Sequence, residues 1–539
     1  MKKIILLFVF IFVYQSGSAQ TTAGLLYHDD NVSDGYTLFT PLNNDEVFLV
    51  NNCGEKINQW TFTELPGATC YLLPNGNLMR AGQNNIETRD WNNNIVWSYA
   101  TTANGIPQHH DIEPLPNGNV ICIVSDPYSL AAITALGRNP ATTGANLRLE
   151  KIVELHPTGL NTATIVWEWK FKDHLIQDFD ATKLNYGVVG NHPELLDLNY
   201  NNGNTVDYIH ANGIDYNAAL DQIIISGRHL SEIFIIDHST TTAEAAGHTG
   251  GTSGLGGDFL WRWGNPVVYR QGTTADRKLF LQHDPKWVES GYLDYGKITV
   301  FNNGAPATAQ TFTSIVMLQP DIVGGVYTKS ASKFNPATYD WSWSGSILGV
   351  VVSEEKECGT HALPNGNMII SETSLGRVSE MTKSGTLLWS YKNPSGPIAS
   401  GNATYFTQFN AIPLGLNNFF RAEKYPANFA GFVGHTMTSA TGIIEDQNPL
   451  SDACTAALGN DNFNAQDLFV LNPVKNNTIQ FNKNITADSV TIYDTNGRLV
   501  YTQNSFDGNK IEVNLSPAVY FMKVQQGSFT KKLKIVISQ

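Results

Sequence analysis

The sequence predicts an all-β protein, a six-bladed β-propeller followed by a small C-terminal β-sandwich, and three observations predict it. The first is a recurring strand of an apolar pair, Trp, any residue and an aromatic. It reads Ile95-Val96-Trp97-Ser98-Tyr99, Ile165-Val166-Trp167-Glu168-Trp169, Phe259-Leu260-Trp261-Arg262-Trp263, Tyr339-Asp340-Trp341-Ser342-Trp343 and Leu387-Leu388-Trp389-Ser390-Tyr391, with Lys56-Ile57-Asn58-Gln59-Trp60 as a sixth copy. The second is a recurring turn, Leu73-Pro74-Asn75-Gly76-Asn77, Leu115-Pro116-Asn117-Gly118-Asn119 and Leu363-Pro364-Asn365-Gly366-Asn367. Asn-Gly supplies the positive φ of a tight hairpin, and the apolar residues after it begin the next strand. The third is a set of histidine segments beginning about 70 to 100 residues apart: Gln108-His109-His110-Asp111, Tyr208-Ile209-His210-Ala211-Asn212, Leu281-Gln282-His283-Asp284 and Gly359-Thr360-His361. Each leads into a short apolar run. Repeated antiparallel sheets closed radially form a propeller, and histidines at equivalent places converge on its channel.

In chain order, Met1–Gln20 reads as a secretory signal peptide. Lys2-Lys3 form the positive end, Ile4–Tyr14 an apolar core too short to span a bilayer, and Ser18-Ala19-Gln20 a small-residue exit. Residues 21–442 form the ring, with Tyr36–Trp60 completing the last blade beside Phe419–Tyr425. The variable spacing fits insertions, the longest being Asp173–Asn204 and the Gly-rich Ala243–Gly257. Residues 443–467, rich in Asn, Asp and Ala, read as a linker. Residues 468–539 carry six short strands, Thr478–Phe481, Ser489–Tyr493, Leu499–Thr502, Ile511–Leu515, Val519–Val524 and Lys532–Ile537, which suit a small sandwich.

Composition excludes several partners. A formal charge of −14 and the lack of a basic stripe argue against nucleic acid, whose phosphates need a basic surface. No later run is long and apolar enough for a transmembrane helix. Of the five cysteines, Cys122 reads as a buried thiol, while Cys53 with Cys70 and Cys358 with Cys454 are candidate pairs. No Cys-x-x-Cys, His-x-His or Glu-rich cluster is present, so no metal is expected. Nothing resembles a phosphate-cradling Gly-x-x-x-x-Gly-Lys-Ser/Thr loop, and no cofactor is expected.

The tail resembles the type A sorting domain of Bacteroidetes type IX secretion substrates, through Asp494-Thr495-Asn496-Gly497-Arg498, Ser516-Pro517-Ala518-Val519-Tyr520-Phe521 and Lys531-Lys532-Leu533-Lys534-Ile535. The resemblance implies handling by the type IX machinery after Sec export, and a secreted or cell-surface location. The ring resembles the bacterial arylsulfotransferase family over most of Gly35–Gly442. The carrying segments are Gln108-His109-His110-Asp111-Ile112-Glu113, Asp207-Tyr208-Ile209-His210-Ala211-Asn212-Gly213, Ser226-Gly227-Arg228-His229, Gln282-His283-Asp284 and Phe420-Arg421-Ala422-Glu423. This resemblance implies transfer of a sulfuryl group from an aryl sulfate to a phenol without a nucleotide donor. It places the nucleophile on His283, supporting roles on His110, His210 and Arg228, and substrate contacts on His361, Asn212 and His109. His361 competes with His283 as nucleophile. The closely spaced cysteine pair of better-known members is missing. The competing class is a secreted propeller that binds a glycan or surface polymer, with the histidines as polar channel lining.

Overall fold

The computed structural model describes residues 21–304, 312–439 and 442–451, then 468, 470, 474–475, 477–495, 497–526 and 529–538. The expected signal peptide, Met1–Gln20, lies outside them. The chain divides into two compact units, Met1–Ser451 and Asp452–Gln539.

The first unit is a six-bladed propeller of antiparallel sheets. Blade one comprises Pro66–Leu72, Leu78–Gly82, Ile86–Arg89 and Ile95–Tyr99; blade two Gln108–Pro114, Val120–Ser129, Asn146–Gly159 and Thr162–Lys170. Blade three comprises Ala211–Asn217, Gln222–Gly227, Glu232–Asp237 and Trp261–Trp263; blade four His283–Trp287, Ile298–Asn302, Ser314–Leu318 and Trp341–Trp343. Blade five runs Gly359–Ala362, Met368–Glu372, Arg377–Met381 and Leu387–Lys392, and gains a fifth strand, Gly24–His28, on its outer edge. Blade six joins the two ends of the ring: Phe419–Pro426 pairs with Gly35–Pro41, Tyr36 opposite Tyr425, and Glu46–Asn51 and Lys56–Thr61 follow. Alternation at period two explains these sheets, since each strand sends alternate side chains into the two spaces beside its blade.

The recurring Trp is what joins the outer edges. From each fourth strand its indole N–H donates to the connection before the fourth strand of the next blade, or in one case to that strand's first residue: Trp60 to Asp90 O (2.8 Å), Trp97 to Thr162 O (3.1 Å), Trp167 to Thr240 Oγ1 (3.2 Å), Trp261 to Asn335 O (2.7 Å), Trp341 to Lys383 O (3.0 Å) and Trp389 to Asn52 O (2.7 Å). The last of these returns from blade five to blade six, so the six indoles make one closed circuit. All but Trp341 are buried.

Three expectations are corrected. Cys53 is disulfide-bonded, but Cys70 and Cys358 are buried free thiols like Cys122, so neither expected pair forms; Cys454 lies outside the described residues. Cys70 lies on the inner strand Pro66–Leu72 and Cys358 in the loop just before Gly359–Ala362, both buried. The expected linker also begins later, because residues 443–450 pack on the ring. Ile443 bridges Glu55, Asn448 Nδ2 donates to Cys53 O (3.0 Å), and Ile444 and Leu450 cover the cluster around Leu25, Phe39 and Trp389. In the second unit, four long strands replace the six short ones: Thr478–Tyr493, Leu499–Glu512, Val519–Gln526 and Phe529–Val536, ordered second, first, third, fourth. A register break between Gln480 and Ile485 divides the first pair into two arms, which is why the sequence reads as separate strands. Ile479, Val490, Ile492, Val524 and Ile535 form its core. Among the described residues, no helix is long and apolar enough to cross a membrane.

Trp389→Phe keeps an aromatic ring but orphans the Asn52 carbonyl. A loss of about 1–3 kcal/mol is expected, read as a lower urea midpoint with an unchanged slope.

Candidate active site

The inner strands meet at a buried guanidinium. Arg421, on the closing strand of blade six, pairs with Asp111 (Nη2–Oδ1 2.9 Å) and Asp284 (Nη1–Oδ1 2.9 Å), and its Nε reaches Glu423 (3.2 Å). It also donates to the Tyr71 hydroxyl, which in turn donates to Asp111 (3.1 Å). The second oxygen of Asp111 accepts from Ile214 N–H (3.0 Å), and that of Asp284 from Thr360 N–H (2.8 Å), so blades three and five are tied in as well. Gly359 is needed here, because a Cβ would run into the Asp284 carboxylate and the Arg421 side chain.

Each of these aspartates follows a site histidine. His110 and His210, both held at positive φ (61° and 55°), face each other at 3.1 Å between their Nε2 atoms. His210 Nδ1 lies 2.6 Å from Asp207 Oδ2, and an ionised carboxylate only accepts, so Nδ1 carries a proton. His110 Nε2–H then donates to His210 Nε2 while both rings are neutral. Arg148 holds Asp207 through both of its oxygens, at 3.2 and 2.5 Å. Against its burial, hydrogen bonds from His210 and Arg148 hold the Asp207 carboxyl below the usual carboxylate range. His229 lies 4.7 Å, ring to ring, from His210 and donates to Asp207 O (2.8 Å); His109 sits 4.1 Å from the His110 ring.

His283 is buried and its tautomer is fixed. Glu357 N–H donates to Nε2 (3.0 Å), so Nε2 carries the lone pair and Nδ1–H donates to Asn303 Oδ1 (2.8 Å). The Asn303 amide is oriented by its own donation to Glu357 O (3.1 Å). Burial pushes His283 and His110 well below 6.5, with nearby cationic groups adding to the effect; it pushes His109 to about 3 and His229 to about 4. The Arg228 guanidinium meets the same loop, donating to Glu355 O (3.2 Å), and lowers the His283 pKa through its charge. Among the described residues no carboxylate pairs with Arg228. Glu357 and Cys358 both have positive φ (59° and 76°), so this loop holds strain where it touches the site. Phe420 lies between the rings of His110 and His283, at 5.7 and 6.1 Å from their centroids.

The structure therefore brings His109, His110, His210, His283 and Arg228 around one place. Asn212 faces the next blade instead, donating to Gln282 O (2.9 Å) and so positioning the residue before His283. His361 departs further from expectation. Thr360 N–H meets Asp284, and strand alternation turns the next side chain toward Glu423 (3.5 Å), where Nε2 accepts from Lys424 N–H (3.2 Å). His361 lines a separate cavity of 560 Å³ with Glu113, Asp215, Lys286 and the aromatic rim of Trp287, Tyr292 and Tyr295. Sequence reasoning missed Asn303, Arg148 and Glu357. None belongs to a histidine motif; each arrives from a strand end or loop brought in by the ring. Two trios, His109/His110/His210 and Asp207/His210/His229, have ligand atoms within 4.8 Å of one another. Arg148, already paired with Asp207, makes either a poor place for a divalent cation.

Residues 63–318 match the family model described as Arylsulfotransferase (ASST), and residues 472–538 match that of the secretion system C-terminal sorting domain, which marks a chain for secretion to the cell surface. No curated protein matches the chain. Among solved structures, a protein of unknown function from Bacteroides caccae is 11% identical, covers 73% of this chain and 99% of its own, and has a TM-score of 0.37. A streptogramin B lyase is 10% identical, covers 70% and 89%, and has a TM-score of 0.33.

Two outcomes are expected of this geometry. Arg421→Met leaves Asp111 and Asp284 buried without their cation and lowers stability by about 3–5 kcal/mol, checked by chemical denaturation. The Cε1–H resonances of His283 and His229 stay at neutral positions from about pH 7 to pH 5, because their folded pKa values lie below the usual value of about 6.5. Protonation sets in only as pH falls to those lowered values, and NMR titration reads it directly.

Proposed function

We propose, from the match of residues 63–318 to the arylsulfotransferase family model, that the site moves a sulfuryl group from an aryl sulfate to a phenol through a covalent His283 intermediate. The observation that carries this reading is a neutral imidazole with its lone pair fixed on Nε2, beside Arg228, which pairs with no carboxylate among the described residues. In the first step the Nε2–S bond forms as the S–O(aryl) bond breaks, and the electron pair leaves with the phenolate oxygen. Nδ1–H remains on Asn303 Oδ1 throughout, which supports positive charge gathering on the ring. The Arg228 fork binds the sulfuryl oxygens. Glu357 N–H gives up the lone pair that the sulfur takes and is then free to donate to one of those oxygens.

His110 and His210 share the proton traffic. His210, backed by Asp207, can hold a second proton as imidazolium and donate it from Nε2 to the departing phenolate. In the second step it recovers a proton from the acceptor phenol, whose oxygen attacks sulfur and releases His283. A phenol leaves with a pKa of about 10, so one proton donor suffices, whereas an alkoxide is far harder to expel. Aryl donors are therefore favoured over alkyl ones. No nucleotide is required, because sulfur is activated by the phenol itself.

Release of 4-nitrophenol from 4-nitrophenyl sulfate, with and without added phenol, tests the reading. Wild type is expected to release it faster with phenol, and His283→Ala to lose release by at least about 1000-fold. His361→Ala is expected to stay within a few-fold of wild type, since that ring lies in the other cavity. Loss on changing His361 but not His283 would move the nucleophile. No release from any of several aryl sulfates would leave the reading as a polymer-binding propeller.

A further inference from the structure

The two longest insertions of the ring, which the transfer reaction does not use, meet at a second cluster of ligating side chains. His174 follows the short helix Phe171–Asp173, and its side chain is fully buried. His248 comes from the Gly-rich insertion and Asp258 is the residue that follows it. His174 Nδ1 and His248 Nδ1 each lie 2.8 Å from the same atom, Asp258 Oδ1, and the three ligand atoms are within 4.8 Å of one another.

The hydrogen-bond inventory of His174 makes this cluster unusual. Its Nε2 lies 2.9 Å from the Ala245 carbonyl, which only accepts, so Nε2 carries a proton. A neutral ring then presents a lone pair at Nδ1, and that lone pair faces the Asp258 carboxylate, a second acceptor. Two acceptors this close need a cation between them. His248 can meet Asp258 as a neutral ring with its hydrogen on Nδ1, so the His174 contact is the one that needs a cation; a proton there is one solution, and a divalent ion on Nδ1 of His174, Nδ1 of His248 and Asp258 is the one that draws on all three ligand atoms. The ring is held for that purpose. It stacks on Trp169 at 5.3 Å and 3°, and the Trp169 indole donates to Gly257 O (2.7 Å). A Cβ on Gly257 would run into both Ala245 O and the His174 ring, so the loop approaches this closely only through glycine. A backbone carbonyl on the far nitrogen is the outer-shell partner that fixes a ligating imidazole in its tautomer.

We propose that His174, His248 and Asp258 form a zinc-type site, separate from the transfer site. Two imidazoles and a carboxylate suit a borderline divalent ion, and the 59% exposed side chain of His248 leaves a fourth position to water. This differs from the expectation that no metal is bound, because the ligands are spread over His174 to Asp258 with no metal-type spacing. Bound there, zinc clamps the two insertions to each other.

The full chain is freed of metal with a chelator, dialysed and titrated with Zn²⁺, with metal content and melting temperature as readouts. Wild type is expected to hold one equivalent and to melt higher with zinc. His248→Ala, at an exposed position, and Asp258→Asn are expected to weaken zinc binding by roughly 100-fold or more, beyond the 10–100-fold that outer-shell changes cost, and to lose the shift. Cobalt in place of zinc gives a visible absorption band that the same variants abolish. Absence of bound metal in wild type would overturn the proposal and leave a buried imidazolium–carboxylate pair. Binding that survives His248→Ala but is lost in His110→Ala would also overturn it, by placing the metal among the channel histidines.

Discussion

The Arg421 guanidinium is the point on which the ring depends. It reaches Asp111 of blade two and Asp284 of blade four directly, Tyr71 of blade one through a hydroxyl, and blades three and five through the second oxygens of those aspartates. Its own strand supplies blade six. A buried ion pair seldom adds much net stability, since desolvation cancels most of the attraction. Its value here is geometric. Asp111 and Asp284 each follow a histidine, so fixing the two carboxylates on one planar fork fixes the distance between His110 and His283.

The electrostatics above that layer run against the rest of the molecule. The chain carries a net charge of −14, yet among the described residues no carboxylate pairs with Arg228, and burial holds His109, His110, His229 and His283 below the usual imidazole range. Neutral imidazoles keep their lone pairs, and an unpaired guanidinium attracts an anion. On the proposed reading, this arrangement suits an anionic ester that meets an imidazole whose lone pair is kept. Asp207 is the exception, and two donors already hold it.

Much of the ring is legible in the sequence because its signals are local. A strand with Trp and a second aromatic two residues apart shows its face by alternation alone, and Asn-Gly marks its hairpins without reference to the rest of the chain. The histidines of blades two, three and four are legible for the same reason. What stays hidden depends on closure. Asn303 comes twenty residues after His283 and is recognised only once the next strand returns beside it. Arg148 and Asp207 lie 59 residues apart. His361 shares the segment pattern of His283, but one step of strand alternation sends it to another cavity. The cysteines mislead because pairing depends on which thiols the blades enclose. The outer strand Gly24–His28 joins blade five through backbone pairing, which leaves little mark on side-chain pattern.

Blade six has a consequence for timing. Its inner strand, Phe419–Pro426, carries Arg421 and pairs with residues from near the start of the chain. A chain still emerging, or one clipped before this strand, has most of its blades but neither a closed circle nor the anchor of its histidines. Bringing together segments nearly four hundred residues apart is slow, so the histidine cluster is assembled last. Closure of the ring and assembly of the histidine cluster become one event, and a molecule that lacks this strand has neither.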